Sequence, residues 1–289
     1  MSQLNKNKKA KRFVIIIVGL LLAGIIFVLV NNYAISTTYS TNKTKTPQDI
    51  VRIVLLSDLH GKYFGANNSV LSEAVADTDP DIVILAGDMC GRDGGIKAAA
   101  ALTERLKEAC ENVYYSFGNH ESRETEQRTQ IISAMESAGA TVLNNKSAEC
   151  TVNGKKVNIH GLELPLYYYT GYDENGRLIY DLTSEEITTY VGEASDETDI
   201  LIAHNPIYFD VYASWGADIV LSGHNHGGVI RLPWLGGLAT PNGDKRPPRF
   251  DCGEYKSGDS TMYISRGLGD WIGPVRAFNL PEIYVIDIQ

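Results

Sequence analysis

The hydrophobic and polar positions divide the chain into an apolar stretch, a polar connector and a long alternating segment. Residues 13–30 contain no charged or polar side chain, whereas residues 31–49 are rich in Thr, Asn, Ser and Lys. From Ile50 onward, short β-branched apolar runs alternate with stretches whose apolar residues recur at helical spacing. We therefore predict a transmembrane helix at 13–30, a linker with little structure of its own at 31–49, and one folded domain at 50–289.

The apolar stretch has the length of a membrane span. Eighteen residues at a helical rise of about 1.5 Å reach roughly 27 Å, which is close to the thickness of the hydrocarbon core. Residues 1–12 form a basic tail without acids, with five cations: Lys6, Lys8, Lys9, Lys11 and Arg12. Cations upstream of a span favour a cytoplasmic tail, so we expect a single-pass cell-membrane protein with its domain outside the cytoplasm. The alternative is a signal peptide cleaved near Ala34-Ile35-Ser36.

The alternating segment predicts an α/β domain with sheets inside and helices outside. Its first part alternates strands and helices: strand Ile50–Leu56, helix Ser69–Ala76, strand Asp81–Ala86, helix Gly95–Cys110, strand Val113–Phe117 and helix Glu124–Ala138. The remainder is mainly strands, predicted at Thr141–Leu143, around the Asn153-Gly154 turn, and at Thr198–Ala203, Ala217–Leu221, Gly228–Leu232, Met262–Ser265 and Glu282–Ile288. A helix is predicted from Ser184, a surface excursion at 161–181 and a long loop at 233–260.

Composition and charge exclude several classes of protein. The hydrophobic fraction of 44% and the charged fraction of 21% are those of an ordinary globular chain. The net charge is −9, and the excess of acids is greater still outside the basic tail. Such a body repels nucleic-acid phosphates, so no nucleic-acid partner is expected. The four cysteines lack the close pairing of a zinc knuckle or a disulfide-rich scaffold.

Candidate chemistry lies directly after the predicted strands. Five of the six histidines fall in polar clusters there: Asp58-Leu59-His60, Gly87-Asp88, Gly118-Asn119-His120-Glu121, His204-Asn205 and His224-Asn225-His226. The carboxyl ends of strands in an α/β sheet meet at one edge, and Asp, His and Asn bind divalent metals. One such cluster alone is typical of a turn, but five in order predict a metal site. His160 falls inside a predicted strand and is interpreted as structural.

The spacing within the clusters suggests how the ligands converge. Residues i and i+2 of an extended backbone point the same way, so Asp58 with His60, and His224 with His226, can reach one site. Neighbouring glycines permit the tight turns that bring short side chains to a metal.

The ordered set DLH, GD, GNHE, H and GHNH resembles that of the calcineurin-like metallophosphoesterases, over residues 50–289. The flanking sequences GHNHGGVIRLP and YISRGLG are similar to those of bacterial membrane-associated members, including enzymes related to UDP-2,3-diacylglucosamine diphosphatases. The resemblance implies a four-layer α/β/β/α sandwich, here preceded by one transmembrane helix. It also implies two divalent metal ions, with Mn²⁺ favoured and Fe or Zn as alternatives.

By the same resemblance, each cluster residue has a role. One metal would be bound by Asp58, His60 and His226, and the other by Asn119, His204 and His224. Asp88 would bridge the two metals, and His120 would protonate the leaving group as a general acid. The chain departs from the family pattern after Asp88, because Met89-Cys90-Gly91-Arg92 precedes the next acid, Asp93; this leaves the role of Asp93 open.

These assignments predict a metal-dependent phosphoric ester hydrolase. A metal-bound hydroxide would attack a phosphodiester or pyrophosphate bond of a lipid-linked or envelope substrate. Arg123 and Arg266 are candidates to bind substrate phosphate, and Glu121 either orients His120 or lies on the surface. The apolar segments 233–235 and 271–274 could contact an acyl chain or the bilayer, or pack as ordinary loops. The alternatives are a secreted phosphomonoesterase or nucleotidase acting on soluble substrates, and a catalytically silent metal-binding scaffold. No protein partner is predicted.

Overall fold

The N-terminal segment is one long helix, α1 (Ser2–Tyr33), in a computed structural model that describes residues 2–43, 50–91, 95–241, 248–270 and 276–289. Within its stretch Lys11–Tyr33, an 18-residue window has a mean hydropathy of 3.4, and none of that window is buried in the protein. Length and composition therefore suffice for a membrane span, as the apolar pattern at 13–30 predicts. A signal sequence near an N-terminus meets the same criterion.

The first of two six-stranded sheets is mostly parallel. Its strands, in spatial order, are β1 (Ser36–Asn42), β14 (Glu282–Ile288), β2 (Val51–Leu56), β3 (Ile82–Ala86), β4 (Asn112–Ser116) and β5 (Thr141–Val142). Only the pairing of β14 with β2 is antiparallel. The carboxyl ends of β2, β3 and β4 therefore lie at one edge of this sheet, which we call the site edge.

The second sheet has the same number of strands and a parallel centre. Its order is β12 (Gly253–Ser257), β13 (Ser260–Ile264), β9 (Ile219–Ser222), β8 (Thr198–Ala203), β7 (Lys155–Leu162) and β6 (Lys146–Val152). The outer pairs, β12 with β13 and β6 with β7, are antiparallel. A separate two-stranded hairpin consists of β10 (Arg231–Leu232) and β11 (Gly236–Gly237).

Helices cover the outer faces of both sheets. On β2, the alternate residues Val51, Ile53 and Leu55 pack between the sheets, while Val54 and Leu56 face the helices. The helices are α2 (Ser69–Ala76), α3 (Ile96–Ala109), α4 (Asn119–Arg123), α5 (Arg128–Ser137), α6 (Ser184–Val191) and α7 (Phe209–Trp215). Helices α2, α3 and α5 pack on the first sheet, and α6 and α7 on the second. The four-layer α/β/β/α prediction is confirmed.

The prediction of an unstructured linker at 31–49 is wrong for its first half. Ser36–Asn42 forms β1, which pairs in parallel with the whole of β14, from Ser36 opposite Glu282 to Asn42 opposite Ile288. Without it, β14 would present an unpaired edge. The polar side chains misled the prediction, because an edge strand keeps one face in water and needs no apolar run. Residues 44–49 lie outside the described part of the chain.

The predicted loop at 233–260 contains three strands: β11, β12 and the start of β13. Strand β12 alternates partly buried and exposed positions, as expected of an edge strand with few apolar residues. Conversely, the strand predicted at Gly228–Leu232 is reduced to β10, because Gly227 and Gly228 adopt positive φ angles. The predicted surface excursion is partly internal, since Tyr168 and Tyr169 are buried under α6 and α7.

Candidate metal centre

The five polar clusters meet where the two sheets end. Backbone hydrogen bonds tie neighbouring clusters together: Asp58 donates to the carbonyl of Gly87 at 3.0 Å, and His60 donates to that of Asp88 at 3.0 Å. In the second sheet, Gly223 donates to the carbonyl of His204 at 3.1 Å. Hydrogen bonds between neighbouring segments thus hold in place the backbone that carries the candidate metal ligands.

The backbone at the candidate ligands is left-handed, not extended as the i, i+2 argument assumed. Five of the seven have φ between 47° and 69°: Asp58, His60, Asp88, His224 and His226. This region is unfavourable for residues with a Cβ, and such strain concentrates at functional sites. The side chains converge because each cluster turns sharply after its strand.

One group of possible metal ligands contains Asp58, His60 and His226. Their donor atoms all lie within 4.8 Å of one another. The Nε2 atoms of His60 and His226 are 3.1 Å apart, and His226 Nε2 is 3.4 Å from Asp58 Oδ1. Ser57 Oγ donates to Asp58 Oδ2 at 2.6 Å and fixes that carboxylate. This is the set that the family resemblance assigns to one metal.

A second group contains Asp88, His204 and His224, also with all donor atoms within 4.8 Å. His204 Nδ1 lies 2.6 Å from the carbonyl oxygen of Ala86 and donates to it, so Nε2 faces the site, 3.2 Å from Asp88 Oδ2. Asn119 Oδ1 is buried and has no hydrogen-bond partner among the described residues. A buried amide oxygen beside this group fits a metal ligand, since an unpaired one is costly. The residues therefore suit the second metal.

Asp88 lies between the two groups. Its Oδ2 is 3.9 Å from His60 Nε2 and 3.9 Å from His120 Nε2, besides its contact with His204. Its other oxygen, Oδ1, accepts the backbone N–H of His120 at 2.8 Å. The geometry is that of a carboxylate able to serve both groups.

Burial and neighbouring charges shift the pKa values of several residues in the site. Burial raises the pKa of Asp58 to about 6 and lowers that of His60 to about 4. Burial also lowers the pKa of His204, but Asp88 and Asp58 outweigh it and raise that pKa to about 9. Although burial opposes it, His204 in turn keeps the pKa of Asp88 well below its usual value. Two buried carboxylates facing imidazoles form a site that divalent cations can neutralise.

Glu121 is a buried residue, which excludes the surface alternative. Its carboxylate is buried and accepts three backbone N–H groups, from Asp88 at 2.8 Å, Cys90 at 2.8 Å and Gly118 at 3.0 Å. Burial and the charge of Asp88 raise the pKa of Glu121 to about 7. Glu121 therefore supports the loop that carries Asp88, a role that the sequence reasoning missed.

A cavity of about 570 Å³ opens over these groups. His120 lines it, as does Arg123, one helical turn after Asn119 on α4. Arg266 does not line it. Its guanidinium pairs with the buried carboxylate of Glu282 at 2.8 Å and with Ser36 Oγ at 3.0 Å. Of the two arginines proposed for substrate phosphate, the structure brings one to the cavity.

The cavity also contains residues outside the five polar clusters: Tyr169, Pro241 and Asp270. Asp270 lies 3.4 Å from Lys62 Nζ and 3.9 Å from Arg276 Nε. No spacing pattern in the sequence could have joined residues so far apart. Asp93 and residues 271–274 lie outside the described part of the chain.

His160 is structural, as predicted. It is buried in β7, with Nε2 2.8 Å from Asp199 Oδ1 and Nδ1 2.7 Å from Ser147 Oγ. Among the described residues, its ring also meets the edge of Trp215, away from the cavity.

Comparisons with known proteins agree with this geometry. The family model described as calcineurin-like phosphoesterase matches residues 51–228. The chain is 27% identical over 243 residues to phosphodiesterase YaeI of Escherichia coli, covering 82% of each protein. It is 28% identical over 283 residues to the Caenorhabditis elegans protein F40B5.2, covering 92% of this chain but only 55% of that relative. A shorter match, 33% over 97 residues, covers 30% of this chain and 28% of UDP-2,3-diacylglucosamine pyrophosphatase LpxG of Chlamydia muridarum.

Proposed function

The chain belongs to the calcineurin-like phosphoesterases, and from this membership we propose that it is a membrane-anchored enzyme hydrolysing a phosphodiester or pyrophosphate bond with two divalent metal ions. One observation carries the proposal: at one sheet edge, the group of Asp58, His60 and His226 adjoins the group of Asp88, His204 and His224, and Asp88 also forms a group with His60 and His120 that links them. A single structural metal would need only one such group.

The proposed ligands follow the two groups. Asp58, His60 and His226 would hold one metal, His204 and His224 with the buried oxygen of Asn119 the other, and Asp88 would contact both. Mn²⁺ is the proposed ion, with Fe or Zn as alternatives, because mixed nitrogen and oxygen ligands accept all three. Bound metal ions supply an activated water near neutral pH and offset charge on the phosphoryl group.

His120 is the proposed general acid. Its imidazole lines the cavity, and its Nε2 is 3.9 Å from Asp88 Oδ2, so it lies beside the metal groups and within reach of substrate. Its backbone N–H is held by Asp88, which fixes the start of α4. A histidine in this position can give a proton to the departing oxygen and so lower the cost of breaking its bond to phosphorus.

Arg123 is the proposed contact for substrate phosphate. It is on the same short helix as His120, lines the cavity, and is exposed. A guanidinium can bind two phosphate oxygens at once, which orients the substrate relative to the metals.

The substrate class is inferred from relatives and from α1. One relative is named a phosphodiesterase, and another, which matches 30% of this chain, is named a pyrophosphatase of a diacylated sugar nucleotide. A retained α1 would keep the cavity near a bilayer, and the basic tail would place the domain outside the cytoplasm. We therefore propose a lipid-linked or envelope phosphoester.

The proposal is tested with the full chain in detergent micelles, stripped of metal and then supplied with Mn²⁺. Hydrolysis of a bis-aryl phosphodiester is measured for the wild type and for Asp88→Asn. Losing the carboxylate shared by both metal groups should lower the rate by at least about 10². Asp287→Asn is the matched control, since Asp287 pairs with Arg52 in β2, outside the cavity.

The outcomes separate the alternatives. Mn²⁺-dependent hydrolysis that is lost only in Asp88→Asn supports the proposal. A folded protein that binds metal but hydrolyses neither the diester nor lipid-linked phosphates would favour a silent scaffold. Hydrolysis of monoesters far above diesters would favour the phosphomonoesterase alternative.

A further inference from the structure

An exposed apolar patch projects beside the C-terminal end of α1. It consists of the tip of the β10–β11 hairpin and one residue near the C-terminal strand: Leu232, Trp234, Leu235 and Phe278. Trp234 is fully exposed, and Phe278 is 62% exposed. Exposed large apolar side chains that cluster in this way mark interaction surfaces. We call these four residues the hairpin patch.

The hairpin patch is joined to α1 by direct contacts. Arg231 donates its backbone N–H to the carbonyl of Ala277 at 3.0 Å, which fixes the hairpin beside Phe278. The ring of Phe278 meets the ring of Phe27 edge-on, with centroids 5.2 Å apart. The patch is thus a lateral continuation of the apolar surface of α1.

The position of Phe27 in α1 sets the depth of the patch. The apolar run ends at Val30, so Phe27 lies about one helical turn, roughly 5 Å, inside the end of the run. A residue in ring contact with Phe27 lies at the boundary of any bilayer that α1 spans. Trp and Phe are favoured at this boundary, where apolar rings meet lipid headgroups.

The same end of α1 is fixed to the site edge. Asn31 and Asn32 are buried, and the carbonyl of Asn32 accepts a hydrogen bond from Lys62 Nζ at 2.7 Å. Lys62 also pairs with Asp270, which lines the cavity. The helix end, the hairpin patch and the cavity therefore lie on one side of the domain.

The net charge of the protein determines which interactions can attach this side of the domain to a membrane. The net charge is −9, although residues 1–12 contribute only cations, so the domain is not attracted to anionic lipid as a whole. Attachment must come from apolar side chains, and it should not depend on anionic headgroups. A zwitterionic bilayer is therefore a sufficient partner.

We propose that the hairpin patch inserts into the headgroup region of the bilayer that α1 spans and holds the mouth of the cavity at the membrane surface. This rests on the proposed retention of α1 as an anchor. Each phosphoester would then reach the metals from the lipid surface, with its apolar part still in the bilayer. The hairpin patch would be a second contact with the membrane.

Fluorescence quenching in nanodiscs tests whether the hairpin patch inserts into the bilayer. The full chain is reconstituted singly in phosphatidylcholine nanodiscs with and without brominated acyl chains, and the contribution of Trp234 is taken as the difference between wild type and Trp234→Phe. Brominated lipid should quench that contribution by about half or more, because bromines quench only tryptophans at short range within the bilayer boundary.

Two probes in the Trp234→Phe background provide the reference depths. Leu22→Trp lies in the middle of the apolar run and must be quenched if α1 spans the bilayer. Ile50 is 47% exposed and directly precedes β2, about 20 Å from the site edge by strand length, so Ile50→Trp must not be quenched.

Quenching of Trp234 and Leu22→Trp without quenching of Ile50→Trp supports the proposal. Quenching of Leu22→Trp alone would overturn the proposed insertion of the hairpin patch, while the proposal that α1 spans the bilayer would stand. No quenching at Leu22→Trp would overturn both the anchor and the patch. Equal quenching of Trp234 and Ile50→Trp would also overturn the patch, because the domain would then contact lipid without orientation.

Discussion

Glu121 Oε2 accepts the backbone N–H of Asp88 at 2.8 Å, while Asp88 Oδ1 accepts the backbone N–H of His120 at 2.8 Å. The loop after β3 and the start of α4 therefore hold each other in place. Glu121 never faces the cavity, yet it supports the residue that lies between the two metal groups. Its contribution is to position Asp88.

Glu121→Ala should weaken metal binding and stability together. The change leaves three buried N–H groups without their acceptor, at a cost of about 1–3 kcal/mol each. Urea unfolding of the metal-free protein should show a loss of at least about 2 kcal/mol, and calorimetry should show weaker Mn²⁺ binding. Glu163→Ala, at a carboxylate paired with Arg128, is the control and should leave Mn²⁺ affinity unchanged. Unchanged affinity in Glu121→Ala would contradict the positioning role.

Metal affinity should increase with pH. In the metal-free protein the pKa of His204 is raised to about 9, so at pH 7–8 it carries a proton that metal must displace. Binding therefore releases about one proton, and the apparent Kd should tighten up to about tenfold per pH unit there. Near pH 6, where Asp58 also begins to hold a proton, the dependence should be steeper.

Calorimetric titration of Mn²⁺ in two buffers with different ionisation enthalpies measures the proton release directly. Asp88→Asn removes the carboxylate that raises the pKa of His204, so it should flatten the pH dependence as well as weaken binding. A Kd independent of pH between 6 and 8 would mean that His204 is neutral in the free protein.

His120→Asn should slow hydrolysis according to the leaving group. Losing a general acid costs about 10²–10⁴ when the departing alkoxide needs a proton, and far less for a nitrophenolate, which leaves unprotonated. Comparing the hydrolysis rates of an alkyl diester and a nitrophenyl diester therefore shows whether His120 acts as a general acid. Metal content, measured by mass spectrometry, should equal that of the wild type; a loss of metal would make His120 a ligand.

The metal groups could be predicted from the sequence because their residues occur as short clusters after strands. The alternation of strands and helices was enough to predict that Asp58 and His60 lie at one edge of the sheet. Their backbone is left-handed, however, and not extended as the sequence argument assumed. Asp270 and Arg276 could not be predicted in this way. Arg276 is buried and donates to the carbonyl of Gly269, a contact created only by tertiary folding.

The strand Ser36–Asn42 marks a second limit of sequence reasoning. Its polar residues lack the apolar periodicity that predicts a strand, so the sequence alone favours a linker. This strand forms because the edge of β14 is otherwise free to pair, and Thr38 Oγ1 also donates a hydrogen bond to Glu282 Oε1 at 2.6 Å. Edge pairing depends on backbone groups, which every sequence possesses.

Arg123 and Arg266 should respond differently to truncation. Arg123→Ala removes a cation from the cavity, so KM for a phosphodiester should rise about tenfold or more while stability changes little. Arg266→Ala leaves the buried carboxylate of Glu282 without its cationic partner, although Thr38 still donates to it, and should lower the free energy of unfolding by about 3 kcal/mol. Steady-state kinetics and urea unfolding of both variants, with metal present, distinguish these effects. A KM increase confined to Arg266→Ala would reverse the assignment.

Removal of β1 should destabilise the domain even though it leaves the cavity residues in place. A soluble form beginning at residue 34 retains the seven-residue pairing with β14, whereas one beginning at residue 45 loses it. Net values of about 0.5–1.5 kcal/mol per hydrogen bond predict a loss of at least about 2 kcal/mol on urea unfolding. The shorter form should also aggregate, because β14 then becomes an open edge. Tyr39→Ser, in the longer form, changes an exposed side chain of β1 and should cost under about 1 kcal/mol. Equal stability of the two forms would show that β1 contributes nothing beyond a tether between α1 and the domain.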